Sequence, residues 1–216
     1  MEDDRGGSPA CFAHKLIDGH VVDPDAARDV ARFRKAERAR LMEERKRISS
    51  ADRATMTQNL TEALTTCVMA RPGITIAAYW PIRGEPDLRE WMAQAHVAGA
   101  TVLLPVVLEK SAPLVFRTWT PSCAMERGIW SIPVPREGQE LRPDVVVAPL
   151  VGVDKQCFRL GNGGGYYDRT LARITPKPLT IGVGWPNCDI PTIFPMPWDI
   201  PMDYVVLADG TIRQRT

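Results

Sequence analysis

The chain has almost no net charge: 27 lysines and arginines face 26 aspartates and glutamates, leaving +1 with histidine neutral. No global field therefore draws it to nucleic acid or to an anionic membrane, and any work on an anion has to be local. Long apolar runs are also missing. The longest, Val145–Val153 and Thr101–Leu108, fall far short of the roughly 20 residues that span a bilayer, and the acidic start Met1–Gly7 has no signal-like apolar stretch. Five cysteines, at 11, 67, 123, 157 and 188, form no C-x-x-C pair. That argues against a disulfide framework and for a reducing compartment, the cytoplasm. Histidine is scarce, with only His14, His20 and His96, and none lies in a catalytic motif. Cys11, His14 and His20 share the first 23 residues but lack a fourth ligand and zinc spacing. Repeats and low-complexity tracts are absent too, which excludes a solenoid.

What is present is a concentration of glycine in Arg159-Leu160-Gly161-Asn162-Gly163-Gly164-Gly165-Tyr166-Tyr167-Asp168-Arg169. Four glycines in five positions add no buried surface and weaken regular structure; they free the backbone to approach something closely. The run Val145–Val153 reads as a buried strand before the loop, and Tyr166–Ile174 as a helix after it. Strand, glycine loop and helix N-terminus together form an anion cradle, because backbone N–H groups and the helix dipole converge there. The loop is not a Walker A motif, since no Gly-Lys-Ser/Thr follows, and it lacks G-x-G-x-x-G spacing. The glycines alone leave a ligand cradle and a tight structural turn both open. Arg159 adds a fork of donors for phosphate, and Asp168 a carboxylate able to hold magnesium, against the plainer readings of a surface ion pair and a first-turn acid.

Hydrophobic residues make up 44% of 216, enough for the core of one domain. Helical periodicity runs from Asp25 to Ile48, and again from Ser49-x-x-Asp52 through Met56, Leu60, Leu64 and Val68. On the first helix Val30, Phe33, Leu41 and Ile48 form one stripe, and Arg34, Arg38 and Arg45 lie beside it, at the margin of the buried face. Either a charged solvent face or an edge reaching into a cleft fits that row. Ile74–Trp80, Thr101–Leu108, Leu114–Trp119, Leu179–Gly184 and Tyr204–Leu207 read as strands, and Pro86–Ala98 as a helix. Gly128–Pro135 is too proline-rich for regular structure and reads as an ordered loop. Strands alternating with helices predict an α/β fold with a mainly parallel sheet flanked by helices, and a site at the strands' carboxyl ends.

Asp154-Lys-Gln-Cys-Phe-Arg-Leu-Gly-Asn-Gly-Gly-Gly-Tyr-Tyr-Asp-Arg169 closely resembles the D-x-x-G-x-R-L-G-x-G-G-G-[YF]-Y-D-R signature of the 5-formyltetrahydrofolate cyclo-ligase (methenyltetrahydrofolate synthetase) family, with Cys157 in place of a glycine. The likeness covers roughly residues 30 to 210. It implies a fold similar to the phosphosugar isomerase/CoA-transferase type, a single domain over 24–216, and an added N-terminal arm over 1–23. It also implies an ATP site built from Arg34, Lys35, Arg38, Arg159, Gly161, Gly163, Gly164, Gly165, Tyr166 and Tyr167. Folate contacts would come from Trp80, Glu85, Asn162 and Tyr166, magnesium ligands from Asp168 and Asp199, and catalysis from Arg159 and Glu85. Arg34 stands where lysine is usual, Glu37 where an apolar residue is expected, Val134 in place of the glutamate of G-I-x-E-P, and Trp198 in place of the histidine of H-D-x-P-x-D.

The reaction so implied is ATP-dependent closure of 5-formyltetrahydrofolate to 5,10-methenyltetrahydrofolate. The formyl oxygen attacks the γ-phosphoryl to give an iminium phosphate, N10 adds, and phosphate leaves. Positioning and charge neutralisation suffice for such a transfer. Three other readings remain: a diverged paralogue that keeps the ATP cradle with another substrate, a sugar-phosphate isomerase or CoA-transferase relative, and an RNA-binding module using the basic helix. The first would bind ATP without folate turnover, the second would act without ATP, and the third would show salt-sensitive RNA binding.

Overall fold

A computed structural model of the chain describes residues 15–17 and 19–216; Cys11 and His14, weighed above as metal ligands, lie outside them. Strands β1 (Lys15–Ile17) and β2 (His20–Val22) form an antiparallel hairpin. Helix α1 (Pro24–Lys46) follows, capped by the Asp23 carboxylate accepting from Asp25 N–H at 2.9 Å, with Pro24 in its first turn. Helix α2 (Ser50–Cys67) starts where the sequence predicts: Ser49 Oγ accepts from Asp52 N–H at 3.1 Å.

Next come β3 (Thr75–Ala77), α3 (Arg89–Val97), β4 (Thr101–Val106) and β5 (Val115–Thr118). A small antiparallel ribbon, β6 (Met125–Arg127) with β7 (Pro133–Pro135), precedes β8 (Val145–Pro149). A second ribbon pairs β9 (Gly152–Val153) with β10 (Arg159–Leu160). The chain closes with α4 (Tyr166–Leu171), β11 (Leu179–Gly184), β12 (Tyr204–Leu207) and β13 (Ile212–Gln214).

Seven strands form the main sheet in the order β13-β12-β11-β8-β3-β4-β5, parallel from β12 to β4 and antiparallel only at its two edges. The expected α/β class with a mainly parallel sheet is therefore observed. The near-continuous apolar strands are explained by burial on both faces. Ile76, Val102, Leu104, Val145, Val147, Ile181 and Val183 point to one side, where Leu60 and Leu64 of α2 and Trp91 and Met92 of α3 cover them. Ala77, Leu103, Val146, Ala148, Val205 and Leu207 point to the other, packed with Cys157, Leu171 and Met202. Helix α1 lies apart from both faces, with Leu41 on Val151, Leu160, Ile190 and Ile193.

Two readings of the sequence are corrected here. Val145–Val153 is not one strand: after Pro149 the chain turns, Val151 N–H bonds to Leu160 O, and Gly152–Val153 joins the ribbon carrying Arg159. Leu150 at the bend packs so tightly on β11 that a Cβ at Gly182 or Gly184 would stand 2.3 or 2.6 Å from its methyls, which is why that strand carries two glycines. The segment Gly128–Pro135, read as an ordered loop without regular structure, contains the strand Pro133–Pro135. Gly128 N–H donates to Ile132 O and Arg136 N–H to Ala124 O at the two ends of the β6–β7 pairing, so by the two-residue period Pro133 and Pro135 turn their missing N–H groups away from the partner.

The order of connections places the site. From β3 the chain moves outward to β4 and β5; from β8 it moves the other way to β11 and β12. The carboxyl ends of β3 and β8 thus flank the point where winding reverses, the position where open α/β sheets form a ligand crevice.

Candidate active site

A cavity of about 980 Å³ opens at that point, near the upper end of the roughly 300–1,000 Å³ of small-molecule sites. Its walls come from the loop after β3, the end of β4, the glycine loop, one edge of α1 and residues 197–200. Six arginines (34, 38, 83, 159, 169 and 173) and three carboxylates (Glu85, Asp168 and Asp199) line it, so a chain of near-zero net charge concentrates an excess of positive charge in one crevice.

Asp154, buried, anchors the approach to the glycine loop by accepting N–H bonds from Gln156 and Phe158 at 3.0 Å each. Arg159 follows on β10, almost wholly enclosed: its Nη2 donates to Asp168 at 2.8 Å, its guanidinium lies 5.0 Å over the Tyr167 ring, and its Nε is buried without a partner among the described residues. Gly163 and Gly165 take φ of 98° and 63°, as a glycine reading requires. Gly164 lies outside the left-handed region; a Cβ there would instead stand 2.7 Å from two carbons of the Tyr166 ring. Tyr166 accepts from Ser111 N–H at 3.0 Å and meets Trp130 edge-on at 5.5 Å, while the buried Tyr167 hydroxyl has no partner among the described residues. Helix α4 is only six residues long, shorter than expected. Its dipole is correspondingly slight, and arginines carry most of the positive potential at the loop.

The arginine strip of α1 divides into three environments. Arg34 is fully engaged: it is paired with Asp199 and donates to the Ile193 and Phe194 carbonyls at 2.8 Å each. Arg38 gives only Nε, to Gly161 O at 2.8 Å, and its two Nη groups have no partner among the described residues; burial and the neighbouring Arg34 lower its pKa. Arg45 is sunk in the core with Nη2 on Leu150 O at 2.7 Å. Lys35, one residue and about 100° round from Arg34, is exposed and does not line the cavity, so the structure does not bring it together with the other expected ATP contacts.

Opposite the glycine loop, the turn after β3 presents Glu85, only 7% exposed. Its carboxylate accepts from Ile82 N–H at 3.0 Å and from Asn162 Nδ2 at 3.1 Å, so it is tied directly to the glycine loop. Burial pushes its pKa above the usual carboxylate range, partly offset by those two bonds. Unlike Asp168 and Asp199, it has no hydrogen-bonded cation among the described residues. Trp80 lines the same wall, with Arg89 5.3 Å over its ring. Tyr79 hydroxyl on Pro86 O at 2.8 Å and Trp185 Nε1 on Gly84 O at 2.8 Å hold the turn in place.

The two expected magnesium ligands do not form a metal-ready pair. Asp168 has one oxygen on Arg159 and the other 3.3 Å from Ile200 N–H; Asp199 has both on Arg34, with Met196 N–H added at 2.6 Å. No group of three or more potential metal-binding side chains occurs among the described residues. Both carboxylates serve first to orient arginines.

The sequence pattern of the 5-formyltetrahydrofolate cyclo-ligase family matches residues 30–208. The chain belongs to that family. It is 32% identical over 161 residues to the 5-formyltetrahydrofolate cyclo-ligase of Escherichia coli (strain K12), covering 69% of this chain and 88% of that protein. To the protein of the same name from Mycolicibacterium smegmatis it is 32% identical over 142 residues, covering 62% and 73%. The fold matches the NMR structure of Aquifex aeolicus 5,10-methenyltetrahydrofolate synthetase with a TM-score of 0.71 at 25% identity, over 84% of this chain and 92% of that one.

Within the cyclo-ligase family the substituted positions now have physical accounts. Cys157 takes a left-handed φ of 66°, which is why glycine suits that place. Glu37, on the flank of α1, is occupied by Arg40 at 2.7 Å. Val134 is a buried β7 residue lining the cavity. Sequence reasoning missed Arg83 and Arg173 as lining residues. Arg83 sits in the Trp80–Asp87 loop that was already singled out, but Arg173, exposed at the cavity rim just after α4, carried no signal, because its place there depends on where the end of α4 lies in the fold.

Proposed function

We propose that the chain catalyses ATP-dependent closure of 5-formyltetrahydrofolate to 5,10-methenyltetrahydrofolate, releasing ADP and phosphate. One observation carries this reading: the glycine loop, the free donors of Arg38, the enclosed Arg159 and the buried Glu85 line a single cavity, and the Asn162–Glu85 bond couples its two walls. The triphosphate is assigned to the loop side, where Arg38 and Arg159 offset the charge that develops as the formyl oxygen takes the γ-phosphoryl group. Folate is assigned to the Trp80 and Glu85 side, with Tyr166 between the two.

When N10 adds to the iminium carbon it must lose its proton. Glu85 is the cavity carboxylate without an arginine on it, and its raised pKa makes it a better base than a solvated glutamate. Phosphate then departs, leaving the methenyl cation. Charge neutralisation rests on arginines, and magnesium is assigned only as the counter-ion that ATP brings. We take residues 24–216 as one catalytic domain. Among the described residues no helix is long and apolar enough to cross a membrane.

Purified protein with Mg-ATP and 5-formyltetrahydrofolate should develop the methenyl chromophore. No absorbance growth, with ATP binding intact by calorimetry, would overturn the folate assignment in favour of a different substrate on the same cradle.

A further inference from the structure

We infer that His20 and Trp198 hold the base of the bound nucleotide, an inference that rests on the nucleotide reading above. His20 lies outside residues 30–208, the stretch matched by the family pattern. The hairpin's two-residue period puts His20 on the face of Val22, which is 6% exposed against the domain, and opposite Val21, which is 67% exposed to solvent. His20 consequently faces the cavity and lines it together with Pro197, Trp198 and Ile200. The imidazole and indole centroids are 6.3 Å apart at 50°, forming a corner of two flat rings.

The chemistry of that corner suits a base and not a phosphate. The adjacent cation, Arg34, is neutralised by Asp199 and two carbonyls, whereas the free donors belong to Arg38 beside the glycine loop. A triphosphate on the loop with folate toward Trp80 and Glu85 leaves its base to extend to the remaining end of the cavity. Flat apolar surface with little free charge binds a planar heteroaromatic ring by stacking, a contact that contributes whether or not its edges are read.

The test is calorimetry with two probes, Mg-ATP and magnesium tripolyphosphate, on the full chain and on His20→Ala, Trp198→Leu and Trp198→Phe. His20→Ala changes an exposed side chain and keeps the test valid even where a Trp198 variant misfolds. The expected result is an ATP affinity about tenfold weaker in His20→Ala and Trp198→Leu, near-normal ATP binding in Trp198→Phe, and tripolyphosphate binding unchanged throughout. An unaltered ATP affinity in His20→Ala, or an equal loss for both probes, overturns the inference while leaving the phosphate site standing. A wild-type chain that binds neither probe removes the nucleotide reading and this inference with it.

Discussion

Arg34 and Arg38 lie one turn apart on the same helix, yet the structure requires opposite consequences from their loss. The Arg34 and Asp199 side chains are 12% and 9% exposed, and Arg34 also serves two backbone carbonyls. Arg34→Ala leaves a buried carboxylate without its counter-charge, a defect that costs about 3–5 kcal/mol. At roughly 2–4 °C per kcal/mol for a chain of this length, the melting temperature should fall by about 6–20 °C. Arg38→Ala gives up one bond to Gly161 O, worth about 1 kcal/mol, so melting should shift only a few degrees. Its free Nη groups face the proposed phosphates, and losing a charge-assisted contact of about 1.5–3 kcal/mol should weaken ATP roughly 10- to 150-fold. Thermal scans and ATP titration of both variants decide the matter. If Arg34→Ala melts normally and loses ATP as Arg38→Ala does, Arg34 is a phosphate ligand and its pairing with Asp199 is not what holds it.

Three further outcomes are expected. Glu85→Gln should abolish chromophore formation yet melt above the wild type at pH 7. Because the folded carboxyl titrates above its unfolded value, its stabilising contribution is present only below the unfolded pKa and is lost as pH rises through the folded one, so the gap in melting temperature should close as pH falls toward about 4; a constant gap refutes it. Gly164→Ala should lower turnover about a hundredfold by displacing the Tyr166 ring, whereas Gly163→Ala, at φ 98°, should lose about 1 kcal/mol or more of stability; full turnover per folded molecule in Gly164→Ala would show that Tyr166 has room to move. Cys157→Gly should leave turnover unchanged and lower stability by about 1–2 kcal/mol, because relief of the left-handed backbone offsets glycine's extra chain entropy while a fully buried side chain is lost from the core; loss of activity would give the thiol a role that the geometry does not.

The glycine loop was legible because its residues are consecutive and their types are incompatible with ordinary packing. The core strands were legible for a similar local reason, since an unbroken apolar run states that both faces are covered. Helix α1 was readable as a helix, and the strip carrying Arg34, Arg38 and Arg45 as its margin. What each arginine meets was not, because Asp199, Gly161 and Leu150 lie 165, 123 and 105 residues away in sequence.

Periodicity and composition, being properties of neighbouring residues, determined that this chain is an α/β protein with a close backbone approach at residues 161–165. Tertiary structure decided which charges remain available. It joined Asp168 to Arg159 and Asp199 to Arg34, left Arg38 and Glu85 without such partners among the described residues, turned Lys35 to solvent, and brought His20 from the first strands to Trp198 near the last. Those outcomes depend on distances across the reversal point of the sheet, where strands far apart in sequence lie side by side, and no local pattern of residues encodes such a distance.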